Sequence, residues 1–354
     1  MRLRVIFLSN TIKHYRIPIL NILAEWCDLT VAYSDGDDSA TKSFDCKFNI
    51  MYLPSIKIGN RIVIQKQNIK RLVKNYDVVL SVGNIAWLYY SLLPWYSKAR
   101  VVYHTIGVSA SYKKGYDKHH EWDWIRKILY NKASALAFYT DYPIEKYKKM
   151  GISQEKMFVA TNTVEVHPVH DPEEKDSVLF IGTLYRQKGL QNLLDAFLTL
   201  KEDKSIPVLR IIGKGPDEYE IKQWIEKNEI SDKVQMMGAI FDIDEKAKYF
   251  SRAYACISPK QAGLSVLESM GYGVPFVTSH DAITGGEIFN IHNGVDGVIM
   301  QNDGELIDVI KDVSKNRQKF IQMGNNAKKY YNENCTPKHM AEGLWKAILY
   351  AYNH

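Results

Sequence analysis

The chain has 354 residues, long for one domain and comfortable for two of ordinary size. Hydrophobic residues make up 46% and charged residues 24%, an ordinary globular balance with no apolar run long enough for a transmembrane helix. The net charge of +6 is mild for this size and does not by itself imply nucleic acid. The four cysteines, far apart and without a Cys-x-x-Cys spacing, point to neither a disulfide framework nor a zinc site.

The N-terminal "MRLRVIFLSN" is basic and then apolar. Its apolar run, 5–8, is short for a signal-peptide core and reads as a first β-strand. Together with the cysteine usage this places the chain in a reducing, cytoplasmic setting. Pro18, in "SNTIKHYRIPILNIL", is ordinary chemistry for a helix start. The segment 56–76 then carries six Lys or Arg and no acid, and 112–132 mixes Lys, Arg, Tyr and Trp. Basic residues interleaved with interfacial aromatics suit an anionic membrane surface, and a solvated helix face is the plainer alternative.

Strands are expected in the first half at 4–8, 29–33, 78–82, 101–104, 135–139 and 157–160. In the second half they are expected at 177–181, 208–212, 234–237, 255–258, 275–278 and 297–300. Many are β-branched and apolar on both faces, as parallel strands covered by helices must be. Amphipathic segments such as 191–200 and 217–228 fall between them, so the fold class is α/β with repeated β-α units. The segment "EVHPVHDPEEK", 165–175, has no periodicity and reads as a linker. Two Rossmann-like, doubly wound domains facing a cleft follow, over 1–167 and 168–335, with a helical segment over 336–354.

Ligands of open parallel sheets sit at the carboxyl ends of the strands, where helix N-termini point their dipoles. Five strand ends of the second half carry glycine or cations. "GTLYRQKGL" offers Gly182 for close backbone approach and Arg186 and Lys188 as charges. Gly213 opens "GKGPDEYE", Gly238-Ala239-Ile240 follows the next strand, Gly263-Leu264-Ser265 begins a helix, and "SHDAITGGEIF" holds a glycine pair. The joint pattern fits a phosphorylated ligand. Gly213-Lys214-Gly215 lacks the third glycine of a dinucleotide fingerprint.

"FIGTLYRQKGLQNLLDAF", "IIGKGPDEYE", "VQMMGAI" and "SPKQAGLSVLESMGYGVPFVTS" followed by "GGEIF" resemble the nucleotide-sugar half of the retaining family-4 glycosyltransferases of GT-B fold. The resemblance spans about residues 177 to 300. "KMFVATNTVEV" resembles the strand end before that family's hinge. The resemblance implies an acceptor-binding first domain, a donor-binding second domain, and a last helix crossing back to the first. It makes Glu268 the acceptor for both ribose hydroxyls, a match of two adjacent oxygens to a cis-diol. The backbone of Gly263, Leu264, Ser265 and Val266 would meet the diphosphate, and Lys188 would be the phosphate lysine. Gly182, Thr183, Gly213, Gly238, Ala239, Ile240, Lys260, Gln261 and Ala262 complete the implied donor site.

Two positions depart from that family. Lys260 stands where the first glutamate of Glu-x7-Glu would contact the transferred sugar, and Thr183 stands for an arginine. Gln261 is a substitute sugar acceptor, and Arg186 a substitute partner for the diphosphate. Lys260 is alternatively a partner for a phosphate or a sugar carboxylate. His104, ending "VVYHT", matches a cleft histidine near the donor sugar, so His104, Arg186 and Lys188 form the expected catalytic set. Asn10, His14, Tyr15 and Arg16 are expected on the acceptor side.

No metal and no cofactor beyond a nucleotide sugar, UDP foremost, is expected. Asp242 in "FDIDEKAKYF" reads as a helix cap rather than a ligand, because Glu245 follows three residues later. The implied function is hexosyl transfer with retention to a glycan or polyprenyl-diphosphate-linked acceptor in surface polysaccharide assembly (lipopolysaccharide, O-antigen or capsule). The chain would lie peripherally on the inner face of the cell membrane. A non-catalytic GT-B protein binding a nucleotide or glycan is the alternative, which Lys260 and Thr183 would favour. A nucleic acid partner is not expected.

Overall fold

A computed structural model describes residues 2–34, 39–59, 62–111, 115–168 and 174–354. Parts of three expected segments lie outside the described residues: 169–173 of the linker, and 60–61 and 112–114 of the two basic segments. The chain divides into two compact units. The first comprises Met1–Ser109, Asp117–Val164 and Thr336–His354, and the second Ala110–Tyr116 and Glu165–Cys335. The boundary expected at 167/168 thus falls at 164/165, and the segment from Thr336 onward is counted with the first unit.

The first unit is built on seven parallel strands: β1 (Arg4–Ser9), β2 (Asp28–Tyr33), β3 (Asn49–Tyr52), β4 (Val78–Val82), β5 (Arg100–Thr105), β6 (Ala135–Phe138) and β7 (Met157–Val159). Their order is β7-β6-β5-β4-β1-β2-β3. The β-branched runs bury both faces, as in Val78–Val82, whose first four residues are all buried. One face is covered by helices Ile17–Trp26 and Pro337–Asn353. Leu20 and Leu23 of the first share a core with Met340, Leu344 and Ile348 of the second. The other face packs Tyr90, Leu93, Leu129, Tyr130 and Tyr147.

The second unit has six parallel strands: β8 (Ser177–Ile181), β9 (Val208–Ile212), β10 (Val234–Gly238), β11 (Ala253–Ile257), β12 (Phe276–Ser279) and β13 (Gly297–Met300). Their order is β10-β9-β8-β11-β12-β13. Helices Leu190–Thr199, Glu218–Lys227 and Glu305–Lys315 pack on one face, and Ile243–Ser251, Leu264–Gly271 and Arg317–Asn334 on the other.

All twelve expected strands are present, with ends moved by a residue or two. β3 was not expected. It is a short edge strand of four residues, largely exposed, although Ile50, Met51 and Tyr52 are apolar. A hairpin of Ala110–Ser111 and Gly115–Tyr116 also went unread, because strands of two residues carry no periodicity. It belongs to the second unit, where the Tyr116 ring meets that of Phe289 at 5.4 Å.

Candidate functional site

The carboxyl ends of β8, β9 and β10 are stitched by backbone. Gly182 donates to the Ile212 carbonyl at 2.9 Å, and Gly213 to the Gly238 carbonyl at 2.7 Å. Gly213 has φ +151°, and a Cβ there would lie 1.9 Å from the Gly182 carbonyl oxygen, so no side chain fits. The same crowding holds at Gly182 for a different reason: its missing Cβ would stand 2.7 Å from Lys188 Nζ. Lys188 ends the short helix Arg186–Lys188 and is buried. Among the described residues no carboxylate pairs with its ammonium, and burial alone pulls its pKa down to about 8. A buried cation facing a side-chain-free glycine has the chemistry to receive an anion.

The helix Leu264–Gly271 starts at Gly263 with no side-chain cap. The Val266 N–H is already bonded to the Gly263 carbonyl at 2.9 Å, which removes it from the expected backbone donors. The amides of Leu264 and Ser265 stay at the helix start. Four residues on, Glu268 is buried between Leu267 and Ser269, and its Oε1 accepts from Lys246 on helix Ile243–Ser251. Both side chains are nearly excluded from solvent, at 13% exposure for Lys246 and 11% for Glu268. Oε2 has no hydrogen bond among the described residues. Glu268 is therefore held by a lysine that sequence reasoning missed. Nothing in "DEKAKYF" marks Lys246, because its partner lies 22 residues away on another helix.

The other donor-side candidates are placed less directly. Lys260 donates its N–H to the Lys188 carbonyl at 3.2 Å, so the two loops are joined. Its ammonium, however, meets Asp303 at 2.6 Å and Asp281 at 3.2 Å. Burial opposes that charge, and the two carboxylates outweigh it, leaving its pKa raised. Arg186 is exposed and pairs with Glu220 at 2.9 Å, and Thr183 is exposed. Gln261 and Ala262 form a short strand parallel to Ile283–Thr284. Beyond it, Glu287 is buried and accepts from the Gly285 N–H at 2.8 Å, ordering the glycine pair. Ala239 and Ile240 follow β10 in the loop before Asp242, which caps the next helix as expected: its Oδ1 accepts from the Glu245 N–H at 2.8 Å.

In the first unit, His104 stands near the end of β5 with its Nε2 buried and, among the described residues, without a hydrogen-bond partner. Its pKa lies well below the usual value, first from burial and then from the nearby Arg16 charge, so the ring is neutral. The Tyr139 ring stands edge-on at 4.7 Å. Arg16 joins them, donating to Tyr139 Oη at 3.1 Å and to Met340 Sδ at 3.0 Å. Arg16 is thus half-buried, while Tyr15 lies beside its guanidinium at 5.4 Å. His14 stacks on Phe44 at 6.4 Å, and Asn10 accepts from the neighbouring Thr11 N–H at 3.0 Å. Asp117, His120 and Asp123 could approach a metal ion, their ligand atoms all lying within 4.8 Å. The Lys146 ammonium already sits among them, 2.7 Å from Asp123.

Residues 164–330 match the family model of "Glycosyl transferases group 1". Over 170 residues the chain is 26% identical to the putative colanic acid biosynthesis glycosyltransferase WcaL of Escherichia coli K12, covering 44% of this chain and 42% of that protein. Over 188 residues it is 24% identical to an uncharacterized glycosyltransferase of Haemophilus influenzae, covering 50% and 49%. The match thus spans less than half the length of these relatives. Among solved structures, Anabaena HepE in complex with UDP superposes with a TM-score of 0.75 at 15% identity, over 98% of this chain and 100% of that one. The pneumococcal O-GlcNAc transferase GtfA in complex with UDP and GlcNAc does so at 0.70 and 11% identity, over 100% of both. Residues 164–330 are thus similar to the glycosyl transferases group 1 family, in a chain of GT-B fold.

Proposed function

We propose that the chain moves a hexose-type sugar from a nucleotide diphosphate sugar, with UDP as the nucleotide, to a hydroxyl of a glycan or polyprenyl-diphosphate-linked oligosaccharide. Transfer retains the anomeric configuration and requires no metal. The observation that carries this reading is Lys188: a buried ammonium, unpaired among the described residues, beside the bare Gly182 backbone. There it neutralises the departing diphosphate, helped by the amides of Leu264 and Ser265 at a helix N-terminus. Glu268, steadied by Lys246, offers its second oxygen to the ribose diol. The bond from the anomeric carbon to the diphosphate breaks as the acceptor oxygen bonds on the same face. The acceptor proton passes to the leaving diphosphate oxygen, so no enzyme nucleophile is needed.

His104, neutral and with a buried Nε2 to offer, suits hydrogen bonding to a sugar hydroxyl rather than proton transfer. The relative named for colanic acid biosynthesis and the UDP-bound structures support a UDP-sugar-dependent role in polysaccharide assembly. The second reading, binding without transfer, is favoured by Lys260, whose charge is already committed to Asp281 and Asp303. Incubating the purified chain with a panel of nucleotide sugars, with and without acceptor and with a chelator, separates the two. Nuclear magnetic resonance of the product reads the anomer. Donor binding without release of nucleotide under any condition would replace the transferase reading by the binding one.

A further inference from the structure

One outer surface of the first unit joins exposed aromatics to a stretch of chain rich in Lys and Arg. The hairpin of Ser55–Ile58 and Ile62–Gln65 is tied to the next helices by the Val63 N–H, which donates to the Ala86 carbonyl at 2.8 Å. Helices Leu88–Ser91 and Leu93–Tyr96 follow, and the latter packs beside helix Asp123–Lys132. The three helices press their inner sides into a single core through Tyr90, Leu93, Leu129 and Tyr130. Their outer sides are apolar too: Trp124 is 61% exposed, Ile58 51%, Ile128 50%, and Trp95 and Trp122 48% each. Exposed apolar side chains gathered on one face are the mark of an interaction surface.

Charge says by what. Residues 55–100 hold eight Lys or Arg and one acid, Asp77, which is taken by Arg4 at 3.1 Å. Lys74, Lys98 and Arg100 line a shallow cavity of about 310 Å³, and Lys98 follows Trp95 by three residues. We infer that this surface docks on an anionic lipid bilayer, with the tryptophans at headgroup depth and the cavity taking a lipid phosphate. A second copy of the chain is the poorer occupant, because a self-complementary contact would set cations against cations. No described helix is long and apolar enough to cross a membrane, so the chain would lie on the surface. The inference rests on the proposed lipid-linked acceptor for its purpose only, because docking is measured without any sugar donor.

The test mixes the full chain with vesicles of phosphatidylcholine alone or with added phosphatidylglycerol, followed by sedimentation and tryptophan emission. Binding to the anionic vesicles should be at least about tenfold tighter, weaken with salt, and shift the emission to the blue. Trp95→Ser with Trp124→Ser, and separately Lys74→Glu with Lys98→Glu, should each cost about tenfold in vesicle affinity. UDP binding and thermal melting should be unchanged in both variants. Equal binding to both vesicle types, variants that bind as well as the parent, or a dimer in light scattering that shields the tryptophans would overturn the inference. Vesicle binding by a chain that fails to bind UDP would uphold docking and sink the transferase reading.

Discussion

Replacing Lys188 by Met should stabilise the free protein while disabling it. The change keeps the length of the stem and removes only the buried charge. Burial moves the Lys188 pKa from 10.5 to about 8, which corresponds to about 3 kcal/mol spent on holding an unpaired ammonium. The sign follows from the two states. Below about pH 8 the lysine is charged whether folded or unfolded, so the folded state bears the whole penalty. As pH rises toward 10.5 the folded chain has already shed the proton, and the penalty fades. Lys188→Met should therefore raise the melting temperature of the second unit by about 5 °C or more near neutrality, with the gain shrinking toward about pH 10. Its affinity for UDP should fall about tenfold or more, and turnover by about a hundredfold. Scanning calorimetry across pH and titration with UDP read both effects. A variant melting at or below the parent at neutral pH would mean that the ammonium is compensated, and the argument for an anion receptor would fail.

Glu268→Ala should lower both UDP affinity and stability, the latter by about 3 kcal/mol, because it strands the Lys246 charge. Adding Lys246→Met should recover most of the stability and none of the affinity in denaturant melts and calorimetry. Gly213→Ala should unfold the second unit or abolish UDP binding, because its Cβ would overlap the Gly182 carbonyl; a normal melt with normal binding would contradict the stitched strand ends. Lys260→Glu should destabilise the second unit by about 1–3 kcal/mol by bringing a third carboxylate to Asp281 and Asp303, with donor choice changing less than stability.

The strands were legible because a parallel strand buried on both faces writes itself as a continuous apolar run, as at Val78–Val82. The Asp242 cap was legible for a similar reason: its partner is three residues away. Interactions between distant segments were not. Neither Lys246 under Glu268 nor the two aspartates on Lys260 follow from local pattern. Arg186, given a phosphate role for its charge and spacing, pairs instead with Glu220 on a later helix. The burial of Arg16 beside Tyr139 and Met340 was not legible either, because it depends on a helix more than 300 positions away, the separation from Met340 being 324. The edge strand Asn49–Tyr52 was passed over although Ile50, Met51 and Tyr52 are apolar, because four exposed residues are too short to show a period.

The membership of helix Pro337–Asn353 has a consequence for how the chain is made. Met340, Leu344 and Ile348 close one face of a sheet whose strands end at Val159. Between Val164 and Thr336 the ribosome must add 172 residues, which takes about 10–30 s at ordinary elongation rates. For that interval Leu20, Leu23 and Val31 face solvent or a chaperone. The second unit, by contrast, has its main strands between Ser177 and Met300 and can complete its core first. Pulse-labelled nascent chains should accordingly show protease resistance in the later-made unit before the earlier-made one, and release of the last helix should be the event that ends chaperone dependence.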